Sequence, residues 1–132
     1  MMTLVEMNVK PRCPPKCHKC CIKTEMILSP SDIARIEDLG YKRSSFTYFD
    51  GFFWRLKNVE GRCFFLREKG CIIYEYRPLG CRAYPVVYDE DEGFIADPEC
   101  PASSTLSSQD LLRGAYLIRL VMKEYGFSLN QP

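Results

Sequence analysis

Apolar residues recur at helical spacing in two stretches of the chain, and the region between them follows a different pattern. Ile33, Ile36 and Leu39 form the first stripe. Ahead of it, Ser29-Pro30-Ser31-Asp32 has the order of a helix start: an N-cap serine, proline at the first helical position and an acid in the first turn. Gly40 supplies a left-handed stop, so the pattern predicts a helix over about 30–39. Leu111, Leu112, Ala115, Ile118 and Met122 form the second stripe. It opens with Ser107 three residues before Asp110 and closes at Gly126, with Phe127 available for an apolar contact, which predicts a longer helix over about 107–125. From Ser45 to Ala96 the chain is rich in Phe, Tyr, Val and Ile between turn signals, the signature of short strands. Asp50-Gly51, between Tyr48-Phe49 and Phe52-Phe53-Trp54, marks one hairpin. Val86-Val87-Tyr88 and Phe94-Ile95-Ala96, around an acidic loop containing glycine, mark another. Pro11, Pro14 and Pro15 disfavour regular structure before residue 21, and Ser103–Ser108 reads as a polar linker. The fold class expected is α+β: one small cysteine-rich domain over 1–132, with two helices, short antiparallel strands and irregular metal-wrapping loops.

Composition narrows the function. In 132 residues, 46% hydrophobic content is enough for a modest core. Lys and Arg number 18 against 17 Asp and Glu, a balance that argues against nucleic acid or a polybasic membrane mode. The first ten residues carry no uninterrupted apolar run of the secretory kind, and no stretch is long enough to span a bilayer. A soluble, cytoplasmic protein is expected.

Eight residues are cysteine. Cys13, Cys17, Cys20 and Cys21 fall within nine positions, and Cys63, Cys71, Cys81 and Cys100 are strung along the middle of the chain. In a reducing compartment such residues serve as metal ligands or redox centres more often than as disulfides. Thiolates this dense repel one another unless a cation neutralises them, so two tetrathiolate sites or one polynuclear centre would use all eight. Soft sulfur suits zinc, copper(I) and iron–sulfur clusters alike. Spacing constrains the pairing. An ideal hairpin from Cys63 to Cys71 with a Glu68-Lys69-Gly70 loop sets Arg67 opposite Cys71 and leaves Cys63 roughly 13 Å away along one face. Sulfurs on one metal lie within roughly 4 Å, so either these two serve different centres or the segment is a clasp. In an extended backbone Cys20 and Cys21 point to opposite sides, which leans toward two sites or a bridged cluster.

In order along the chain, Cys13…Cys17…Cys20-Cys21, Gly61-Arg62-Cys63-Phe64-Phe65-Leu66, Cys71-Ile72-Ile73-Tyr74, Arg77-Pro78 and Cys81-Arg82-Ala83-Tyr84-Pro85 resemble the YkgJ-like cysteine-cluster family, described as a zinc- or iron-chelating domain. The resemblance covers about 13–100. The gap of three residues after Cys13 is one longer than that family's usual opening. The resemblance implies that Cys17, Cys20, Cys21, Cys63, Cys71 and Cys81 are ligands, joined by Cys13 and Cys100. Similar cysteine patterns occur in flagellin lysine methylase, but fold likeness alone does not carry its chemistry across.

His18, the only histidine, is either a ligand or a solvated loop residue. Arg62, Arg67, Arg77 and Arg82 flank ligand cysteines and either offset thiolate charge or bond carbonyls. Tyr74, Tyr76 and Tyr84 read as core more readily than as pocket lining, and so does the aromatic run from Phe46 to Trp54. Lysines 10, 16, 19 and 23 form a modest local positive patch. The expected function is chelation of zinc or iron by clustered thiolates, with the metal ion as partner. An iron–sulfur protein for electron or methyl transfer and a thiol redox or metal-trafficking protein are the alternatives. No enzyme class follows, and no catalytic residue is assigned.

Overall fold

A computed structural model describes residues 8–9, 11–13, 17 and 19–129. Helix α1 (Pro30–Asp38) begins where the sequence places it. Ser29 Oγ accepts from the Asp32 amide at 3.0 Å, and the Asp32 carboxylate accepts from the Ser29 amide at 2.9 Å. This reciprocal capping box satisfies two of the helix's free amides. Gly40 ends the helix at φ +104°.

Strand β1 (Ile27–Leu28) precedes α1, and α2 (Arg43–Phe46), β2 (Thr47–Phe49) and β3 (Trp54–Leu56) follow it. The three strands pair antiparallel in the order β1-β3-β2. Phe49 faces Trp54 across the predicted hairpin, so its loop is the four residues 50–53 rather than a two-residue turn. Asp50 closes that loop with its side chain, which accepts from the amides of Phe52 and Phe53 at 2.7 Å and from Arg55 Nε. Two minimal hairpins come next: β4 (Asn58–Val59) with β5 (Arg62–Cys63), and β6 (Leu66–Arg67) with β7 (Gly70–Cys71). The short helix α3 (Leu79–Ala83), the hairpin of β8 (Val86–Asp89) and β9 (Gly93–Ala96), and the long helix α4 (Ser108–Lys123) complete the described chain. The α+β class holds, and α2 and α3 are helices beyond the two expected. Among the described residues no helix is long and apolar enough to cross a membrane.

Three buried clusters hold these elements. The first gathers Leu28, Ile33, Ile36, Phe46, Leu56, Phe65 and Ile73, with Cys63 inside it. The second seats Val86 and Phe94 on Ala115, and the third packs Leu79 and Ala83 of α3 on Leu117 and Val121 of α4. Helix α4 can lie this close to β8 because residue 114 is glycine: a Cβ there would fall within 2.8 Å of three Val86 carbons. The buried line of α4 therefore runs through Gly114, Ala115, Leu117 and Val121, while Leu112, part of the expected stripe, is exposed. The aromatic run is also only partly core. Phe46 is buried, but Phe52 is 80% exposed.

One carboxylate ties the first helix to the third. Asp32, fully buried, also accepts from the Leu79 amide at 3.0 Å and from Arg35. Leu79 opens α3, so this bond fixes the start of the helix that carries Cys81.

Candidate metal centre

Cysteines from five parts of the chain reach one cavity of about 740 Å³. A 3-10 turn, Lys19–Cys21, presents Cys20 and Cys21. Their side chains are in direct contact with each other. That contact corrects the argument from an extended backbone, in which neighbours diverge: the tight turn brings both sulfurs to the same side, and the lean toward separate sites loses its basis.

Cys63 ends β5 and Cys71 ends β7, each followed by two apolar residues that turn the chain. Cys63 receives the backbone amides of Phe65 and Leu66, and Cys71 receives that of Ile73. Burial raises both thiols, and the amides aimed at sulfur partly oppose it by favouring the thiolate a metal requires. The two cysteines belong to successive hairpins, with Asn58 opposite Cys63 and Leu66 opposite Cys71. The segment is thus the clasp anticipated as one alternative. The loop is Glu68-Lys69, with Leu66 rather than Arg67 facing Cys71, because Gly70, at φ +117°, pairs with Arg67. Turning the chain twice brings Cys63 and Cys71 onto one cavity wall.

Cys81 comes from α3, and Cys100 from a turn in which its amide donates to the Asp97 carbonyl at 3.1 Å. Asp97 Oδ1 accepts from Glu99, and its other oxygen accepts from the Tyr84 hydroxyl at the cavity wall. Asp97 was not among the expected site residues; the Asp97-Pro98 pair just before Cys100 was the available turn signal. Cys13 and Cys17 complete the lining. His18, Lys10 and Lys16 lie outside the described residues.

All eight cysteines are free thiols, with Cys13 and Cys20 exposed and Cys63 buried. Burial first, then the negative charges of Cys100, Cys17 and Cys20, push Cys13 up, while Arg77 pulls it down. Burial also raises Cys81, with Cys63, Cys20, Asp32 and Cys71 adding to it. Cys20 is instead lowered to about 7, chiefly by the Cys21 hydrogen bond. The thiols line the space rather than meet at a point. Among the described residues no group of three or more His, Cys, Asp or Glu is already gathered to hold a metal ion.

The flanking arginines and tyrosines divide. Arg67, Arg77 and Arg82 all bond backbone carbonyls, and of the three only Arg77 lines the cavity. Tyr74 and Tyr76 are exposed rather than core, and Tyr74 and Tyr84 line the cavity.

The donor chemistry suits a soft metal. No carboxylate or imidazole of the described residues shares the lining with the eight sulfurs, which disfavours magnesium- or calcium-type sites and suits zinc or iron. Asn8 Oδ1, buried at the same wall, has no hydrogen-bond partner among the described residues.

An α+β scaffold that turns every cysteine onto one carboxylate-free cavity defines a thiol-rich, metal-chelating class of protein. The chain belongs to the CxxCxxCC family, described as "Putative zinc- or iron-chelating domain", which matches residues 12–101. It is also similar to an uncharacterized protein of Methanocaldococcus jannaschii, 36% identical over 80 residues, which cover 53% of this chain and 42% of that relative. The match thus spans less than half the relative's length. No solved structure shows a significant match.

Proposed function

We propose that the protein chelates zinc or iron through Cys13, Cys17, Cys20, Cys21, Cys63, Cys71, Cys81 and Cys100, holding more than one ion. The observation that carries this reading is the single cavity lined by all eight thiols. A tetrahedral site takes four thiolates, so eight around one space fit two ions or a polynuclear centre. On loading, the side chains turn inward from the lining, and the cations offset the mutual repulsion that raises several of the thiols. Bound metal would contribute folding energy by joining segments otherwise distant in the chain. Free thiols persist in a reducing compartment, and the cytoplasm is the compartment we propose.

A second reading, an iron–sulfur cluster serving electron or methyl transfer, is favoured by the undivided cavity and the touching Cys20 and Cys21 side chains. Such a cluster would supply one-electron chemistry.

Anaerobic purification followed by zinc, iron and acid-labile sulfide analysis tests both. Colourless protein with stoichiometric zinc supports the first reading, and brown protein containing sulfide supports the second. Protein with neither metal, even after reconstitution, sinks the proposal. Cys20→Ser and Cys21→Ser should each lower metal content; full occupancy in both would remove the paired cysteines from the ligand set.

A further inference from the structure

Four arginines flank the cysteine motifs, and only Arg77 lines the cavity. Arg82 spends Nε on the Arg77 carbonyl at 2.8 Å and a terminal nitrogen on the Glu75 carbonyl at 3.1 Å. Arg67 turns back to the carbonyls of Phe64 and Leu66, and Arg62 is exposed on β5. Arg77 is held differently. Its Nε donates to the Tyr74 carbonyl at 3.0 Å, and its guanidinium lies 4.0 Å from the centre of the Tyr74 ring. Carbonyl and ring together fix the plane of the fork, and both terminal NH2 groups have no protein partner among the described residues.

Arg77 is thereby fixed in the lining of the cavity that all eight cysteines share. Lys19 and Lys69 also line the cavity, but among the described residues neither side-chain ammonium has a hydrogen-bond partner that would hold it in place. A cluster of thiolates around divalent ions carries excess negative charge, and a planar cationic donor fixed beside it is suited to offset it.

We propose that Arg77 is the fixed counter-charge of the metal centre, a positioning residue whose guanidinium, held by Tyr74 in the lining of the eight-cysteine cavity, sets how tightly the ion is held. The inference rests on the chelating role proposed above. Groups that support metal ligands typically change affinity by about 10–100-fold when removed, and Arg77→Gln is expected to weaken binding by that factor. Arg77→Lys keeps the charge without the fork and should recover part of the loss. The gap between the two variants should narrow as salt rises, because screening acts on charge and not on packing.

The test is anaerobic competition for zinc(II) between the full chain and a colorimetric chelator, at low and high salt, for wild type, Arg77→Gln and Arg77→Lys. Graded weakening in the order wild type, Lys, Gln, compressed by salt, supports the proposal. Wild type that loads while Arg77→Gln matches it overturns this inference alone, as does equal, salt-independent weakening of both variants. Wild type that takes up no metal overturns the chelating role and this inference with it. Should Arg77→Gln fail to fold, Arg77→Lys is read alone: low-salt affinity below wild type by up to about 10-fold supports the proposal, and wild-type affinity overturns it.

Discussion

Replacing Asp32 by alanine tests whether one buried carboxylate joins the scaffold to the site. The substitution removes the acceptor for two backbone amides, those of Ser29 and Leu79, as well as the Arg35 partner. A buried amide left without an acceptor costs about 1–3 kcal/mol, so the two together cost about 2–6 kcal/mol. Arg35 adds little, because its side chain is 39% exposed and water can replace the bond. Against a total stability of about 5–15 kcal/mol for a domain, this is a large loss. Urea unfolding is the assay, with both proteins at the same measured metal content because bound metal stabilises by mass action. A slope near 2 kcal/mol/M gives a midpoint lowered by about 1–3 M. Asp32→Asn keeps an oxygen for the Leu79 amide and should lose less. The pH dependence has a definite sign. Burial, outweighing the amide bonds, raises the Asp32 pKa above its ordinary 3.8. The folded chain thus keeps a proton that the unfolded chain releases near 3.8, and the stability this contributes is complete below that value and lost as pH climbs through the folded one. Asparagine has no such contribution, so the deficit of Asp32→Asn should shrink as pH rises. A midpoint shift below about 0.5 M for Asp32→Ala would refute the reasoning.

Three further substitutions probe the packing of two helices and the loop between β2 and β3. Gly114→Ala drives a methyl into Val86, whose carbons are fixed between β8 and α4, and should cost about 1–3 kcal/mol in denaturant unfolding. Gly80→Ala meets the flexible thioether of Met26 and should cost less; the reverse order would contradict the packing described. Asp50 is lowered to about 2, first by the Phe53 amide, then by Arg55 and the Phe52 amide. Its contribution is present above its ordinary 3.8 and lost as pH falls through about 2, so the melting-temperature deficit of Asp50→Asn should fade over that interval.

The parts of the fold legible in the sequence are those decided within a few residues. Ser29 with Asp32, and Ser107 with Asp110, announce both capping boxes, since each pair bonds only across one helical turn. Helix α3 is not announced. Five residues containing glycine, and preceded by proline, have weak helical preference, and it is the Asp32 bond and the packing on α4 that make them helical. At the site, cysteine spacing signals metal chemistry, but the route of the chain between cysteines depends on backbone states it does not encode strongly. Glu60 sits at φ +53° beside Gly61 at φ +80°, closing a hairpin around a residue type that seldom adopts that conformation. The 3-10 turn at Lys19–Cys21 likewise overrides the alternation assumed for adjacent residues.

The sulfur ring is not uniform in its anchorage. Cys63 belongs to the first buried cluster, and Cys21, Cys71 and Cys81 pack against it, whereas among the described residues Cys13, Cys17, Cys20 and Cys100 take part in none of the three clusters. One half of the receptacle therefore cannot retreat without opening the protein's interior, and the other half can adjust at small cost. If the chelating role proposed above holds, a cation would find its fixed ligands on the core side and its adjustable ones on the other.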